Sequence, residues 1–399
     1  MKAKIYLDFN STHPPNKEIL HRAREFYFAH FANSSGLSLA SQRVNKRIEE
    51  ARESVAHDLS VLPQQVVFTS CATESNNLLI RAFHQRKRGG TFNVLTTRIE
   101  HPSVTECIKK LPNTAIHYLE CNESGGISEE ELDKHDLNAY DFIAMIAVQN
   151  ETGVRLPYLQ LFERIPQNNP PYVLVDFSQA LPKLSKDAPE DLTPAIVQRL
   201  TQKNFFLTGT GHKLGAGFGA GLIVLPAMHT AWKEAGLLAG GNQEYGVRAG
   251  SHNAEAIIAF AEALHEKVQS NSYKLWKNIA HHFENRLMRI LNRLDVKILP
   301  ENKNNNDNRA PGTTLLLLPN TPIDFLVMAL DQEGITVSTG TSCKSRSRTP
   351  SAAVLAMGLS EQKALSIVRL SYSQELKEAD MEYTATTFEK ILTAMKDSY

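Results

Sequence analysis

Lys213 lies in TGTGHKLGAGFGAG (208–221), after an expected strand and before a run of glycines. Glycine lets a backbone approach a ligand closely, so this amine is placed to hold or attack a bound molecule. The spacing does not match GxxxxGK followed by Ser or Thr, which excludes a standard P-loop. The plainer alternative is a flexible loop with its lysine solvated. Asp176 ends the apolar run VLVD, and Gln179 follows three residues later. A carboxylate at the C-terminal edge of a parallel strand sits where α/β sheets bind ligands. It is also the group that keeps a pyridinium nitrogen protonated. Helix capping would explain it equally well. The segment TSCATESNN (69–77) carries small hydroxyl residues between an expected strand and helix. Free N–H groups and the helix dipole favour an anion there, and simple capping is the competing reading. His101, in RIEHPS, has a flat imidazole that can stack on a ring or merely close a turn.

These residues need a scaffold, and the patterning supplies one. Short apolar runs at 66–69, 92–96, 116–119, 142–148, 172–175, 205–208 and 221–225 predict seven strands. Helical periodicity lies between them, as in Val44, Ile48, Ala51, Val55 and Leu59 at spacings of three or four. Near-continuous apolar strands interleaved with helices imply an α/β protein with a mostly parallel sheet covered on both faces. The texture changes after about residue 255. Residues 254–294 read as one long helical region, broken near Asn271 and Ser272. An Asn-rich loop (301–312) follows, then strands at 313–318, 335–338 and 367–371 and helices near 322–333, 350–357 and 375–396. The expected organisation is a large domain over 16–257 and a smaller α+β domain from 1–15 and 258–399.

Composition narrows the partners. The 399 residues carry 43 basic and 43 acidic side chains, so no net charge calls for nucleic acid. No run approaches the roughly 20 apolar residues of a membrane span, and the N-terminus shows no apolar signal region. Four widely spaced cysteines, Cys71, Cys107, Cys121 and Cys343, do not make a disulfide framework or a metal motif. The expectation is a reducing, cytoplasmic setting with no metal, no membrane and no nucleic acid.

Taken in order, YLDFNSTHP, FTSCATESNN, the Glu100-His101 pair, VQNETGV, VDFSQA, TGTGHK, GGNQEYGVRAGSHN, STGTSC and IVRLSYS resemble the class V aminotransferase group of pyridoxal-phosphate enzymes. Within it they resemble the NifS/IscS-like cysteine desulfurases. The resemblance covers essentially the whole chain and implies a fold-type-I transferase with pyridoxal 5'-phosphate as cofactor. It implies that Lys213 bonds the cofactor aldehyde and later moves protons. By the same resemblance Asp176 pairs with the pyridine nitrogen, Gln179 with the phenolic oxygen, and His101 stacks on the ring. Ala72, Thr73, Thr210 and His212 would cradle the phosphate. Ser251 would reach the phosphate of a neighbouring subunit, which implies a homodimer. Asn150 would meet cofactor and substrate, and Arg369 would grip the substrate carboxylate, a job that suits a planar guanidinium.

Cys343 selects the reaction. The resemblance implies that its thiolate takes sulfur from L-cysteine, leaving L-alanine and a persulfide for a sulfur-acceptor protein. That acceptor could be an iron–sulfur scaffold, a tRNA thiolation factor or a DNA-modification system. Lys344, Arg346 and Arg348 flank it; nearby cations favour thiolate, and they could equally steer an acidic acceptor or form a solvated loop. Some positions depart from the group pattern. Thr210 replaces serine, Tyr245 replaces arginine, Ser251 replaces threonine, and no G-P-K follows Lys213. The chain ends at Tyr399, without the longer tail that often docks iron–sulfur scaffolds, so that partnership is not the expectation. Cys71 is expected to be a small buried residue. The alternatives on the same fold are a selenocysteine lyase, a sulfinate lyase or a plain aminotransferase. Outside catalysis the alternative is a degenerate accessory subunit.

Overall fold

The structure is a computed structural model and describes residues 5–87, 89–227, 238–301, 308–318, 321–339 and 349–397. The strands are β1 (Ile5–Tyr6), β2 (Val66–Thr69), β3 (Phe92–Thr97), β4 (Thr114–Leu119), β5 (Phe142–Ile146), β6 (Tyr172–Asp176), β7 (Phe205–Thr210), β8 (Gly221–Val224), β9 (Lys297–Leu299), β10 (Thr313–Leu317), β11 (Ile335–Thr336) and β12 (Ile367–Ser371). Seven of them form one sheet in the order β2-β8-β7-β6-β5-β3-β4. All its pairings are parallel except those of β8, which runs against both β2 and β7. The mostly parallel sheet expected from seven apolar runs is therefore present, with each run in its own strand.

Both faces of this sheet are covered, which explains why the runs show no polar alternation. Val66, Phe68, Val173 and Val175 point into a core shared with helices Leu39–Asp58 and Ala254–Ser270. Val67, Leu174, Phe206 and Ile223 point the other way, onto helices Ala72–Arg86 and Pro102–Lys109. Each such side chain, fully buried, contributes about 1.5–3 kcal/mol. The helix Ala254–Ser270 crosses the expected boundary at 257, yet its apolar residues through Val268 belong to the large core. The next helix, Tyr273–Leu291, starts afresh after Asn271, with Ser272 as its cap. The break thus falls where turn chemistry placed it.

A second, antiparallel sheet has the order β12-β10-β9. It packs on helices Tyr273–Leu291, Ile323–Gln332 and Glu378–Asp397 through Phe283, Leu287, Leu316, Leu326, Leu370 and Phe388. Within residues 258–399 the sequence reading did not name the three-residue β9 or the five-residue helix Glu361–Leu365; both are too short to show a period. β1 pairs in parallel with β11, and Asp8 bridges to Ser371. The N-terminal segment is thereby laid along the end of β12. It then crosses to the large sheet, where His13 N donates to His212 O at 3.0 Å.

Candidate functional site

The C-terminal ends of β5, β6 and β7 open into a cavity of about 520 Å³. Asp176, Gln179, Thr210, His212 and Lys213 reach it from β6, β7 and the turns that follow. Asp176 is 2% exposed. One of its oxygens accepts from Ser178 N at 2.9 Å, the other from Asn76 Nδ2 at 3.0 Å. Neither bond makes it the cap of a long helix. Asn76 also donates to Ser103 Oγ at 2.9 Å and accepts from Thr208 Oγ1 at 2.6 Å. This one amide therefore ties the carboxylate to β7 and to the helix that carries His101. Gln179 Nε2 donates to Asn10 O at 2.9 Å.

His101 serves two purposes. It caps the helix Pro102–Lys109, with Nδ1 accepting from Ser103 N at 3.1 Å, and it lines the cavity. Because Nδ1 accepts from a backbone N–H, the ring hydrogen belongs on Nε2. Burial, aided by the Lys213 charge, holds its pKa below the ordinary histidine value against the pull of Asp176. Its neighbour Glu100 is pushed up to about 8 by burial, with the Asp176 charge adding to the rise. One Glu100 oxygen accepts from Thr97 Oγ1 at 2.7 Å and Ile146 N at 2.9 Å, and the other has no partner among the described residues.

Ala72 and Thr73 open the helix Ala72–Arg86 at the cavity wall. Cys71 occupies its cap position and makes no capping bond. By contrast, side chains of Asn16, Ser38, Asn253 and Ser272 cap the helices Lys17–Ala29, Leu39–Asp58, Ala254–Ser270 and Tyr273–Leu291. The uncapped first turn leaves N–H groups for an anion. A Cβ on Gly221 would lie 2.5 Å from the Cys71 backbone, so only glycine lets this loop rest on β8. Cys71 itself lines the cavity, half-buried, rather than sitting in the core. That corrects the expectation for it, because the cap position turns its side chain away from the sheet.

The opposite wall comes from the antiparallel sheet and the N-terminal segment. Arg369, in the middle of β12, is 4% exposed. It donates to Asn150 O at 3.0 Å, Asp8 Oδ1 at 2.7 Å and Ser11 Oγ at 2.8 Å. Asn150 and Glu151 sit on the loop after β5, and Glu151 Oε2 accepts from Ser351 Oγ at 2.5 Å. Ser351 caps the helix Ala352–Ala356.

Lys213 is held well below the ordinary lysine range. Burial lowers its pKa to about 8, and the Arg369 charge assists while Asp176 and Asp8 oppose. His212 is lowered to about 4 by burial and by Lys213 and His101. A neutral amine attacks an aldehyde and an ammonium does not. Uptake of an aldehyde cofactor by the apo-protein should therefore accelerate as pH rises through about 8 and then level off. A solvent-exposed lysine would keep accelerating to about 10.4. Stopped-flow absorbance against pH checks this, and a rate still climbing well above about pH 9 would contradict it.

Of the residues singled out in the sequence, Ala72, Thr73, His101, Asn150, Asp176, Gln179, Thr210, His212, Lys213 and Arg369 line this one cavity. Ser251 does not. It lines a separate recess with Tyr27, Phe31, Ser34 and His252. His252 bonds Glu244, which in turn holds buried Arg52. Cys343 and its neighbours Lys344, Arg346 and Arg348 lie outside the described residues. Sequence reasoning gave no role to Asp8, Ser11, Asn76, Glu100 or Glu151. One signal was available: Asn76 falls on the apolar stripe of Leu79, Ile80 and Phe83, where a buried amide needs partners.

The arrangement fits pyridoxal phosphate. An anion-ready helix start, a buried amine, a carboxylate on the sheet edge and a guanidinium face one space. The Ser178 hydroxyl and Arg369 Nε there have no partner among the described residues. Among the described residues, no group of His, Cys, Asp and Glu is placed to hold a metal. No helix there is long and apolar enough to cross a membrane.

Comparison with known proteins agrees with this geometry. The family description Aminotransferase class-V matches residues 5–383. A cysteine desulfurase of Trichormus azollae is 27% identical, with 98% of this chain and 94% of that protein aligned. A solved NifS-like protein superposes with a TM-score of 0.85 at 25% identity, covering 98% of this chain and all of the other (100%). A structure described as SspA in complex with cysteine gives 0.75 at 25% identity, covering 94% and 99%.

Proposed function

Because the chain belongs to the class V aminotransferase family, whose cofactor is pyridoxal 5'-phosphate, we propose that it is a cysteine desulfurase. It converts L-cysteine and the Cys343 thiol to L-alanine and a Cys343 persulfide. The observation that carries this reading is the convergence of Lys213, Asp176 and Arg369 on one cavity, in a chain that also has Cys343 in STGTSC. A plain aminotransferase has no use for that thiol.

Bound there, the cofactor supplies an electron sink for charge that develops at the substrate Cα. The chain's own groups do the rest. The first turn of Ala72–Arg86, with Thr73, Thr210 and His212, binds the phosphate. Asp176, held by Asn76 and Ser178, would pair with the pyridine nitrogen. His101 would stack on the ring and Gln179 would meet the phenolic oxygen. Arg369 and Asn150 bind the substrate carboxylate and orient the Cα hydrogen. Lys213 Nζ, an amine poised near neutrality, takes that proton and returns one to the carbon side. Cys343 Sγ attacks the substrate sulfur. The S–S bond forms as the C–S bond breaks, and the carbon left behind is protonated to alanine.

We place the division of the chain after residue 270, with residues 5–15 joined to the smaller part. We also assign the recess beside Ser251 to a second copy of the chain, so that each subunit completes its partner's phosphate site. The sulfur acceptor is a separate protein that meets Cys343. A selenocysteine lyase would use the same cavity, and the substrate comparison below separates the two.

The test is product analysis. The purified holoenzyme with L-cysteine and a thiol reductant should release sulfide and alanine in equal amounts, faster than selenide from L-selenocysteine. Pyruvate formation, amino-group transfer to a keto acid, or no sulfide would overturn the reading.

A further inference from the structure

Arg369 is already engaged in a way that bears on how a carboxylate can reach it. A guanidinium has two edges with paired donors, Nε with Nη2 and Nη1 with Nη2. Both edges use Nη2. Here Nη2 donates to Asp8 Oδ1 at 2.7 Å and to Ser11 Oγ at 2.8 Å, which commits both its hydrogens. Nη1 gives one hydrogen to Asn150 O at 3.0 Å. Nε, buried, has no acceptor among the described residues. A carboxylate that grips either edge must therefore displace Asp8 or Ser11 from Nη2.

The two competitors differ. Asp8 is charged, and charge-assisted bonds are about twice as strong as neutral ones. Ser11 is a neutral hydroxyl, and it, not Asp8, lines the cavity. Ser11 also has an alternative, since its hydroxyl donates to Asp8 Oδ1 at 2.8 Å. It can give up Arg369 and keep Asp8.

We propose that Ser11 is a placeholder for the substrate carboxylate. In the empty site it fills one Nη2 position and keeps the guanidinium aimed into the cavity. An amino acid must displace it, so Ser11 weakens amino-acid binding and raises KM. It thereby sets the substrate concentration at which the site fills. The inference rests on the reading of the cavity as an amino-acid site and adds a residue that tunes it.

The test uses the holoenzyme and Ser11→Ala. L-alanine binding is followed by the change in cofactor absorbance, and KM is measured for L-cysteine. Cysteamine, which has the amine and thiol but no carboxylate, is the control. L-alanine should bind about fivefold more tightly, and KM for L-cysteine should fall by a similar factor. Cysteamine should be unaffected. Unchanged or weaker L-alanine binding would overturn the proposal, and so would equal tightening for cysteamine. Failure of the desulfurase reading shows separately, as absence of sulfide from the wild-type enzyme.

Discussion

Replacing Lys213 by alanine should abolish the visible absorbance of the bound cofactor and lower sulfide release at least about 10³-fold. The size of the effect follows from two losses at one atom. The amine that bonds the aldehyde disappears, and so does the base positioned for the Cα proton. The fold should survive, because burial disfavours the charged amine and its removal relieves that cost. An unchanged far-ultraviolet circular dichroism spectrum confirms this. Lys213→Arg keeps the charge but has no amine that bonds an aldehyde, and it should fail to the same degree. A variant at position 213 that keeps both the colour and the sulfide would remove Lys213 from the chemistry.

Why part of this site was legible in the sequence and part was not has a physical explanation. The seven strands of the large sheet were legible because burial on both faces forces near-continuous apolar runs. Lys213, Asp176 and His101 were legible because each stands at the end of such a run, where side chains enter the crevice. Alone, each had a structural reading as good as the functional one. For His101 both hold, since it caps a helix and faces the cavity. The residues that went unassigned act through tertiary contacts. Ser11 and Arg369 are 358 positions apart and meet only because Asp8 bridges to Ser371. Glu151 meets Ser351 across 200 positions. No local period announces such contacts. Cys71 was misplaced for a different reason: composition says that a small thiol packs inside, whereas the helix start carries it to the cavity edge.

The second large effect concerns Cys343, and it separates this account from every other reaction on the fold. In this account cofactor and substrate binding do not use its thiol. The groups proposed to bind cofactor and substrate line the cavity from β5, β6, β7, β12, the starts of the helices Ala72–Arg86 and Pro102–Lys109, and the N-terminal segment. Cys343→Ala should therefore keep the cofactor absorbance, and L-cysteine should still perturb that absorbance on mixing. Only the sulfur step should fail, because no other thiol occupies the STGTSC position. Cys107 is buried and its pKa is raised by burial. Cys121 is pushed up to about 12 by burial and the carboxylates around it, so neither offers a thiolate. Cys71 lines the cavity and is the one thiol that could substitute; the Cys71→Ser, Cys343→Ala double variant identifies any residual activity as its own.

The decisive measurement is sulfide release from L-cysteine by the Cys343→Ala holoenzyme beside the wild type. The account predicts an unchanged absorbance spectrum with sulfide release reduced at least about 10³-fold. Near wild-type sulfide release by that variant would contradict it and would place the sulfur-accepting group elsewhere.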